Sequence, residues 1–522
     1  MSIPGIDQNI GSLLTKAAEE YGDKNLLHFH QEDVDFTYRQ MNNLVNQYAH
    51  ALRKTGIRRG DHLAVMLSNC PAFFLIWLAL ARIGATMVPL NIRYQAKDLV
   101  YVLNNSDAVG LVIESEFASV YREAGPDTPG IKTVLTIGAG AEDLGPVLDE
   151  MAKSESSIFS GPDISISDTM SIQYTSGTTG FPKGCLLTHE YWLTLGFVAA
   201  VDMKTDDIFL CVEPFYYMDP PWELIMCMLK GMTMVVAKSY SPSRYMALVR
   251  QYGITVSWVM LPAWIYKQPV SGRDTDHHLR FLLSGAIPKE IHEPFEKRFN
   301  VLLREGYGMT EIGPGMAMPV ADRHMSGSGS VGKPLAYRYV KIVDEDGNDV
   351  SEGETGELWI TGPGMFSGYY KKPKATEAAF SGKWFKTGDL FRQDDRGYYY
   401  IVGRKKDMIK RSGDNIAAVE VENVLISHPK IQAVAVVPVP DPDRKEEVKA
   451  YILPAPGENP ETIPPDELIK FCQEQIADFK VPRYIEYRTE DFPRTPTGKI
   501  QKIKLIAEGK DLTRGCYDRL AT

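Results

Sequence analysis

Apolar positions change period repeatedly along the first part of the chain. Behind Thr37, residues Met41, Leu44, Val45 and Tyr48 recur at helical spacing and predict a helix. His62 to Leu67 is a short, mostly apolar run of strand length. Ala72 to Ala81 is apolar without interruption and stops at Arg82; ten residues are too few to cross a bilayer, so Ala72 to Gly84 is predicted as a buried helix. Thr86 to Leu90, Leu111 to Ile113 and Thr133 to Ile137 read as further strands. This strand–helix–strand order predicts an α/β fold of largely parallel sheets covered by helices.

The pattern changes beyond Ala321. Short strands separated by glycine turns are predicted over Tyr339 to Val343, Gly356 to Thr361 and Gly397 to Val402, which makes a β-rich subdomain. A small α/β piece follows Asp407, with helices over Ala418 to Ser427 and Pro465 to Ala477 and strands over Ala433 to Val439 and Val448 to Leu453. The charged cluster Arg404-Lys405-Lys406-Asp407 lies between the two patterns. The expected division is a large N-terminal domain over 1–403, a hinge over 404–407 and a C-terminal domain over 408–522.

A chain of 522 residues is too long for a single ordinary core, in keeping with more than one domain. Its 57 lysines and arginines against 67 aspartates and glutamates leave a net charge of −10, which argues against a general nucleic-acid binder. Six cysteines occur without a C-x-x-C pair or a zinc-type spacing, so free thiols in a reducing cytosol are expected. The first residues lack a basic segment followed by an apolar core, and the expected location is cytoplasmic, with no integral membrane segment.

The densest candidate chemistry lies at Tyr174-Thr175-Ser176-Gly177-Thr178-Thr179-Gly180-Phe181-Pro182-Lys183-Gly184, where eleven positions hold four small hydroxyls, three glycines and one lysine. Glycines expose backbone N–H groups to an anion, hydroxyls donate to phosphate oxygens and lysine offsets their charge. The lysine spacing is not that of a Walker A loop, and Gly184-Cys185-Leu186-Leu187 after it reads as a strand.

This string resembles the phosphate-loop signature of the adenylate-forming superfamily: acyl-CoA synthetases, peptide-synthetase adenylation domains and luciferases. Four more segments resemble that family's motifs in order: Tyr307-Gly308-Met309-Thr310-Glu311, Lys386-Thr387-Gly388-Asp389, Gly403-Arg404-Lys405-Lys406-Asp407 and Pro493 to Lys499. The resemblance implies a mobile C-terminal domain and the use of ATP, Mg²⁺ and coenzyme A on a small-molecule carboxylic acid. It assigns Thr175, Ser176, Gly177, Thr178, Thr179 and Lys183 to the leaving pyrophosphate, and Glu311 to the Mg²⁺ ion. Thr310 would meet the α-phosphate, Tyr307 and Gly308 the nucleotide, and Gly285 and Ala286 the other face of adenine. Asp389 and Arg404 would bind the ribose, Lys499 would bridge carboxylate and α-phosphate, and Lys406 would be the hinge. In a second pose of the small domain, Ser412, Gly413 and Lys410 would receive CoA, with Lys405 and Arg411 near its phosphates.

The chain departs from the family at its aromatic gate. Pro214-Phe215-Tyr216-Tyr217 stands where the family has Pro-x-Phe-His, and Met218-Asp219-Pro220-Pro221-Trp222-Glu223 follows. An acyl pocket of Tyr217, Asp219, Trp222 and Gly308 suits a compact aromatic or polar acid better than a long aliphatic chain. Alternatively, the acids among the rings suit a quaternary ammonium. The chain resembles in particular the bacterial carnitine- or crotonobetaine-CoA ligase group, so a betaine is one alternative substrate and a medium-chain fatty acid another. The expected reaction is acid–CoA ligation with release of AMP and pyrophosphate, the alternative acceptor being a carrier-protein thiol. A homodimer stays open.

Overall fold

Helix Pro71–Ile83 shows why the large unit folds as it does. The sequence PAFFLIWLALARI is apolar on every face, and a helix of that kind must be covered all round. Phe74 meets Phe29 edge-on at 5.3 Å, while the Trp77 indole N–H donates to the Ser171 hydroxyl at 3.5 Å. Phe29 and Ser171 belong to different sheets, so the helix lies between them. Each large side chain buried here contributes about 1.5–3 kcal/mol.

The structure is a computed structural model that describes residues 8–175, 182–285, 287–412, 414–494, 500–508 and 511–521. The chain divides into two units. The first comprises Met1–Thr175, Pro182–Tyr339 and Ile360–Lys383; the second is built mainly from Val340–Trp359 and Trp384–Thr522.

The first unit holds two sheets. One has the strand order Thr133–Ile137, Gly110–Glu114, His62–Met66, Thr86–Pro89, Thr169–Thr175 and Lys183–Thr188, parallel except for its last pair. The other runs Lys333–Pro334, Gly313–Ala317, Leu302–Met309, Phe281–Ser284, Val256–Trp258, Ile208–Cys211, Thr233–Val236, Asn25–Phe29 and Val34–Thr37. Its inner strands are parallel and its edges are closed by antiparallel hairpins. In such sheets ligands bind beyond the carboxyl ends of the strands. Those ends carry Glu213, Trp258, Gly285 and Tyr307.

Local signals set several element boundaries. Thr37 caps helix Tyr38–Lys54 in a reciprocal box: its hydroxyl accepts from the Gln40 N–H at 3.1 Å, and the Gln40 side-chain Oε1 accepts from the Thr37 N–H at 2.8 Å. Helix Asp219–Lys230 opens on Pro220 and Pro221, which suit a first turn, and ends at Gly231 with φ of 69°. It packs closely on helix His189–Ala199, because a Cβ on Gly196 would lie 2.4 Å from Ile225.

His189 begins that second helix and is buried. Its Nδ1 accepts from the Ile10 N–H at 3.3 Å, so the ring must be neutral there, and burial pushes its pKa down to about 4. An unfolded histidine takes up its proton near pH 6.5, well above the folded value. The stabilisation is therefore complete above pH 6.5, is lost as pH falls toward 4 and amounts to at most about 3 kcal/mol. Urea unfolding of the parent and of His189→Gln should show a gap that shrinks between pH 7 and 4.5. A gap constant across that range would contradict the assignment.

The second unit is described by itself. Strands Tyr339–Val343, Gly356–Thr361 and Trp384–Gln393 lie side by side, and Tyr399–Arg404 pairs antiparallel with Trp384–Gln393. A further sheet is built on the long hairpin Ile431–Asp441 and Lys445–Pro454, flanked by Met408–Arg411 and Tyr484–Tyr487. Helices Ala418–Ser427 and Pro465–Gln473 bury Val421, Leu425, Leu468 and Cys472 in its core. All six cysteines are free. Among the described residues no helix is long and apolar enough to cross a membrane.

Candidate active site

In the first unit, the strand expected after Lys183 is Lys183–Thr188, and it pairs antiparallel with Thr169–Thr175. Thr175 pairs with Lys183, and the Thr175 hydroxyl donates to the Lys183 carbonyl at 3.4 Å. Ser176, Gly177, Thr178 and Thr179, between those strands, lie outside the described residues. The Lys183 ammonium stands 4.2 Å from the centre of the Tyr369 ring. The Tyr369 hydroxyl donates to Glu311 Oε1 at 2.8 Å. One tyrosine thus joins the lysine of the first motif to the carboxylate of the second.

Tyr369 escaped the sequence reading, because nothing local marks a residue 58 positions from its partner. Burial, then the neighbouring Glu311 charge, raise its phenol well above the ordinary range, so it remains a donor. Glu311 is buried, with its backbone carbonyl accepting from the Phe366 N–H at 3.0 Å. A single buried carboxylate with lone pairs on both oxygens fits a Mg²⁺ ion whose other ligands are phosphate oxygens and water. Tyr369→Phe keeps the ring beside Lys183 and removes only the hydrogen bond. It should lower adenylation by roughly 3–10-fold and raise the Mg²⁺ concentration at half-saturation. A Mg²⁺ titration unchanged from the parent would contradict this coupling.

Thr310 is held through its carbonyl, which accepts from the Tyr191 hydroxyl at 2.9 Å. Tyr307 is buried on strand Leu302–Met309, and the register with Gly313–Ala317 shifts between Tyr307 and Gly308. A Cβ on Gly308 would sit 2.7 Å from the Gly313 carbonyl oxygen, so only glycine fits there. Gly285 faces the Trp258 indole, with 3.4 Å between an added Cβ and the ring; Ala286 lies outside the described residues. Glu305, on the same strand as Tyr307, accepts from the Ile287 N–H at 3.3 Å, and burial pushes its pKa up to about 7.

The expected acyl wall is gathered at the start of helix Asp219–Lys230. The Trp222 indole N–H donates to Asp219 Oδ1 at 3.4 Å, and the Trp222 and Trp258 rings meet edge-on at 6.4 Å. Tyr217 accepts from the Asn91 amide at 3.3 Å and packs against Tyr216. Trp258 was missed in the sequence, where a lone tryptophan ending a three-residue strand carries no signal.

In the second unit, Asp389 and Arg404 face each other across paired strands, with 3.3 Å between Oδ1 and Nε. Glu357, also missed, supports both ends of this pair: one oxygen accepts from the Gly388 N–H at 3.1 Å and the other from Lys405 at 3.0 Å. Lys405 is therefore engaged with Glu357. Arg411, expected near CoA phosphates, is buried and paired with Glu447 at 2.6 Å. Lys410 is half-exposed, 3.9 Å from Glu345, and Ser412 has a φ of 52°. Lys406 lies in the short turn Lys405–Asp407. Gly413 and Lys499 lie outside the described residues.

Two family models match the chain: AMP-binding enzyme over residues 14–370, and AMP-binding enzyme C-terminal domain over residues 420–499. The crotonobetaine/carnitine–CoA ligases of Salmonella paratyphi A and Salmonella typhimurium are each 36% identical to it, across 95% of this chain and 99% of theirs. Among solved structures, the anthranilate CoA ligase AuaEII in complex with anthranoyl-AMP superposes with a TM-score of 0.87 at 25% identity, covering 96% of this chain and 97% of that one. ATP-bound MatB from Rhodopseudomonas palustris gives a TM-score of 0.85 at 26% identity, covering 97% of this chain and 100% of that one. Matched by these models over most of its length, the chain belongs to the AMP-binding enzyme family and is an AMP-forming acid–CoA ligase that uses ATP and CoA.

Proposed function

We propose that the acid is a compact one carrying a fixed positive charge, a betaine of the crotonobetaine or carnitine type. The observation that carries this reading is the wall of Trp222, Trp258 and Asp219, in which rings and a carboxylate stand together. A neutral aromatic acid would use the rings and leave the carboxylate uncompensated, whereas a quaternary ammonium uses both. The 36% identity to crotonobetaine/carnitine–CoA ligases supports the same choice.

In the proposed reaction a carboxylate oxygen attacks the α-phosphorus and pyrophosphate leaves. The CoA thiol, giving up its proton, then attacks the acyl carbon and AMP leaves. Lys183, with Thr175, Ser176, Gly177, Thr178 and Thr179, holds the departing pyrophosphate. Glu311 would hold the Mg²⁺ ion, which would supply charge screening of the phosphates; Thr310 and Lys499 meet the α-phosphate, Tyr307 with Gly285 and Ala286 encloses adenine, and Asp389 with Arg404 holds the ribose. Rotation at Lys406 withdraws Lys499 and brings Ser412, Gly413 and Lys410 to CoA. AMP release measured with crotonobetaine, carnitine, benzoate, anthranilate, octanoate and palmitate should be fastest with a betaine. An aromatic or fatty acid giving the highest kcat/KM would overturn the substrate reading and leave the ligase chemistry standing.

A further inference from the structure

Three carboxylates cluster behind the acyl wall. Asp219 and Glu223 are one helical turn apart on helix Asp219–Lys230, and Glu213 follows the end of strand Ile208–Cys211. Glu213 is 7% exposed and Glu223 1%, yet no lysine, arginine or histidine forms an ion pair with any of the three among the described residues. Glu223 Oε2 has no hydrogen-bond partner at all. Burial raises all three, Asp219 to about 6 and Glu213 to about 7, and the Asp219 charge raises the other two further. Neutral donors reach the cluster, Trp222 at Asp219, the Met260 backbone at Glu213 and the Cys211 thiol at Glu223, but no cation does among the described residues, and Glu223 Oε2 stays unpaired, which favours a bound positive charge. Asp219 is tied to the Trp222 indole, whose ring meets that of Trp258 edge-on at 6.4 Å. Trp258 also touches Gly285, which places the cluster beside the segment expected to line adenine.

We propose that Glu223 and Glu213, behind Asp219, Trp222 and Trp258, form the seat of the acid's quaternary ammonium, so that charge as well as shape selects the substrate. The proposal rests on the betaine reading above and adds the two residues that supply the attraction. The rings cover the methyl groups, which cannot donate hydrogen bonds, and the carboxylates compensate the charge at longer range. No covalent step is involved.

The test uses a pair of acids alike in shape: 4-(trimethylammonio)but-2-enoate and its neutral carbon isostere, 5,5-dimethylhex-2-enoate. The parent should prefer the cationic member in kcat/KM by roughly tenfold or more. Glu223→Gln should raise KM for the cationic acid by about tenfold or more, while the neutral acid and the KM for ATP stay as in the parent. Should Glu223→Gln not fold, seen as loss of turnover with both acids, Glu213→Gln, just past the end of strand Ile208–Cys211, carries the same test. A parent that prefers the cationic acid, with a preference unchanged in the variant, would overturn the role of the carboxylates alone. A parent indifferent to the charge would overturn both this seat and the betaine reading.

Discussion

Lys499→Ala should lose acyl-adenylate formation by about 10²–10³-fold, roughly 3–4 kcal/mol of barrier. Both reacting groups carry negative charge, and a cation placed between carboxylate and α-phosphate lets the attack proceed. The second step poses a different problem, since the CoA thiol attacks an already activated anhydride. Given pre-formed acyl-adenylate and CoA, the same variant should keep most of its thioester rate. Lys406→Pro should do the reverse and harm the second step more, because proline fixes φ where the backbone must rotate. Single-turnover rates for the two steps decide it. Equal losses in both steps for Lys499→Ala would contradict the two-pose mechanism.

Glu311→Gln should be nearly as damaging. It keeps the size of the side chain and its hydrogen bond from Tyr369, 2.8 Å long in the parent, but removes the charge. With the proposed metal-holding carboxylate gone, adenylation should fall by orders of magnitude and the Mg²⁺ requirement should rise. Near-normal activity with an unaltered Mg²⁺ dependence would show that Glu311 holds no metal. The contrast with Tyr369→Phe is informative: that variant should shift the same titration by a smaller step, since it alters only the aim of the carboxylate.

The sequence shows most clearly what is local. The helix behind Thr37, the buried helix Pro71–Ile83 and strand Lys183–Thr188 follow from periodicity that acts over a few residues. Motif residues were legible for a different reason, since ordered strings such as Tyr307 to Glu311 mark them directly. What the sequence hides is non-local. Strand Ile208–Cys211 lies between Thr233–Val236 and Val256–Trp258, an order that no pattern along the chain announces. Tyr369, Glu357 and Trp258 act through partners far away in sequence, each chosen by packing rather than by a motif. The compact units likewise join segments distant in sequence. Val340–Trp359 groups with Trp384–Thr522 because the strands within these two segments pair with one another, although Ile360–Lys383 intervenes. Arg411 shows the opposite hazard: a basic residue in a charged run reads as exposed, but Glu447 draws it into the core.

Both half-reactions and every proposed residue role depend on one intermediate, the mixed anhydride of acid and AMP. Crotonobetaine labelled with ¹⁸O in its carboxylate, turned over with ATP, Mg²⁺ and CoA, tests it directly by mass spectrometry of the products. The oxygen that attacks the α-phosphorus must depart with AMP when the thioester forms. The account predicts one labelled oxygen in each AMP released and none in pyrophosphate; unlabelled AMP, or label appearing in inorganic phosphate beside ADP, would contradict it.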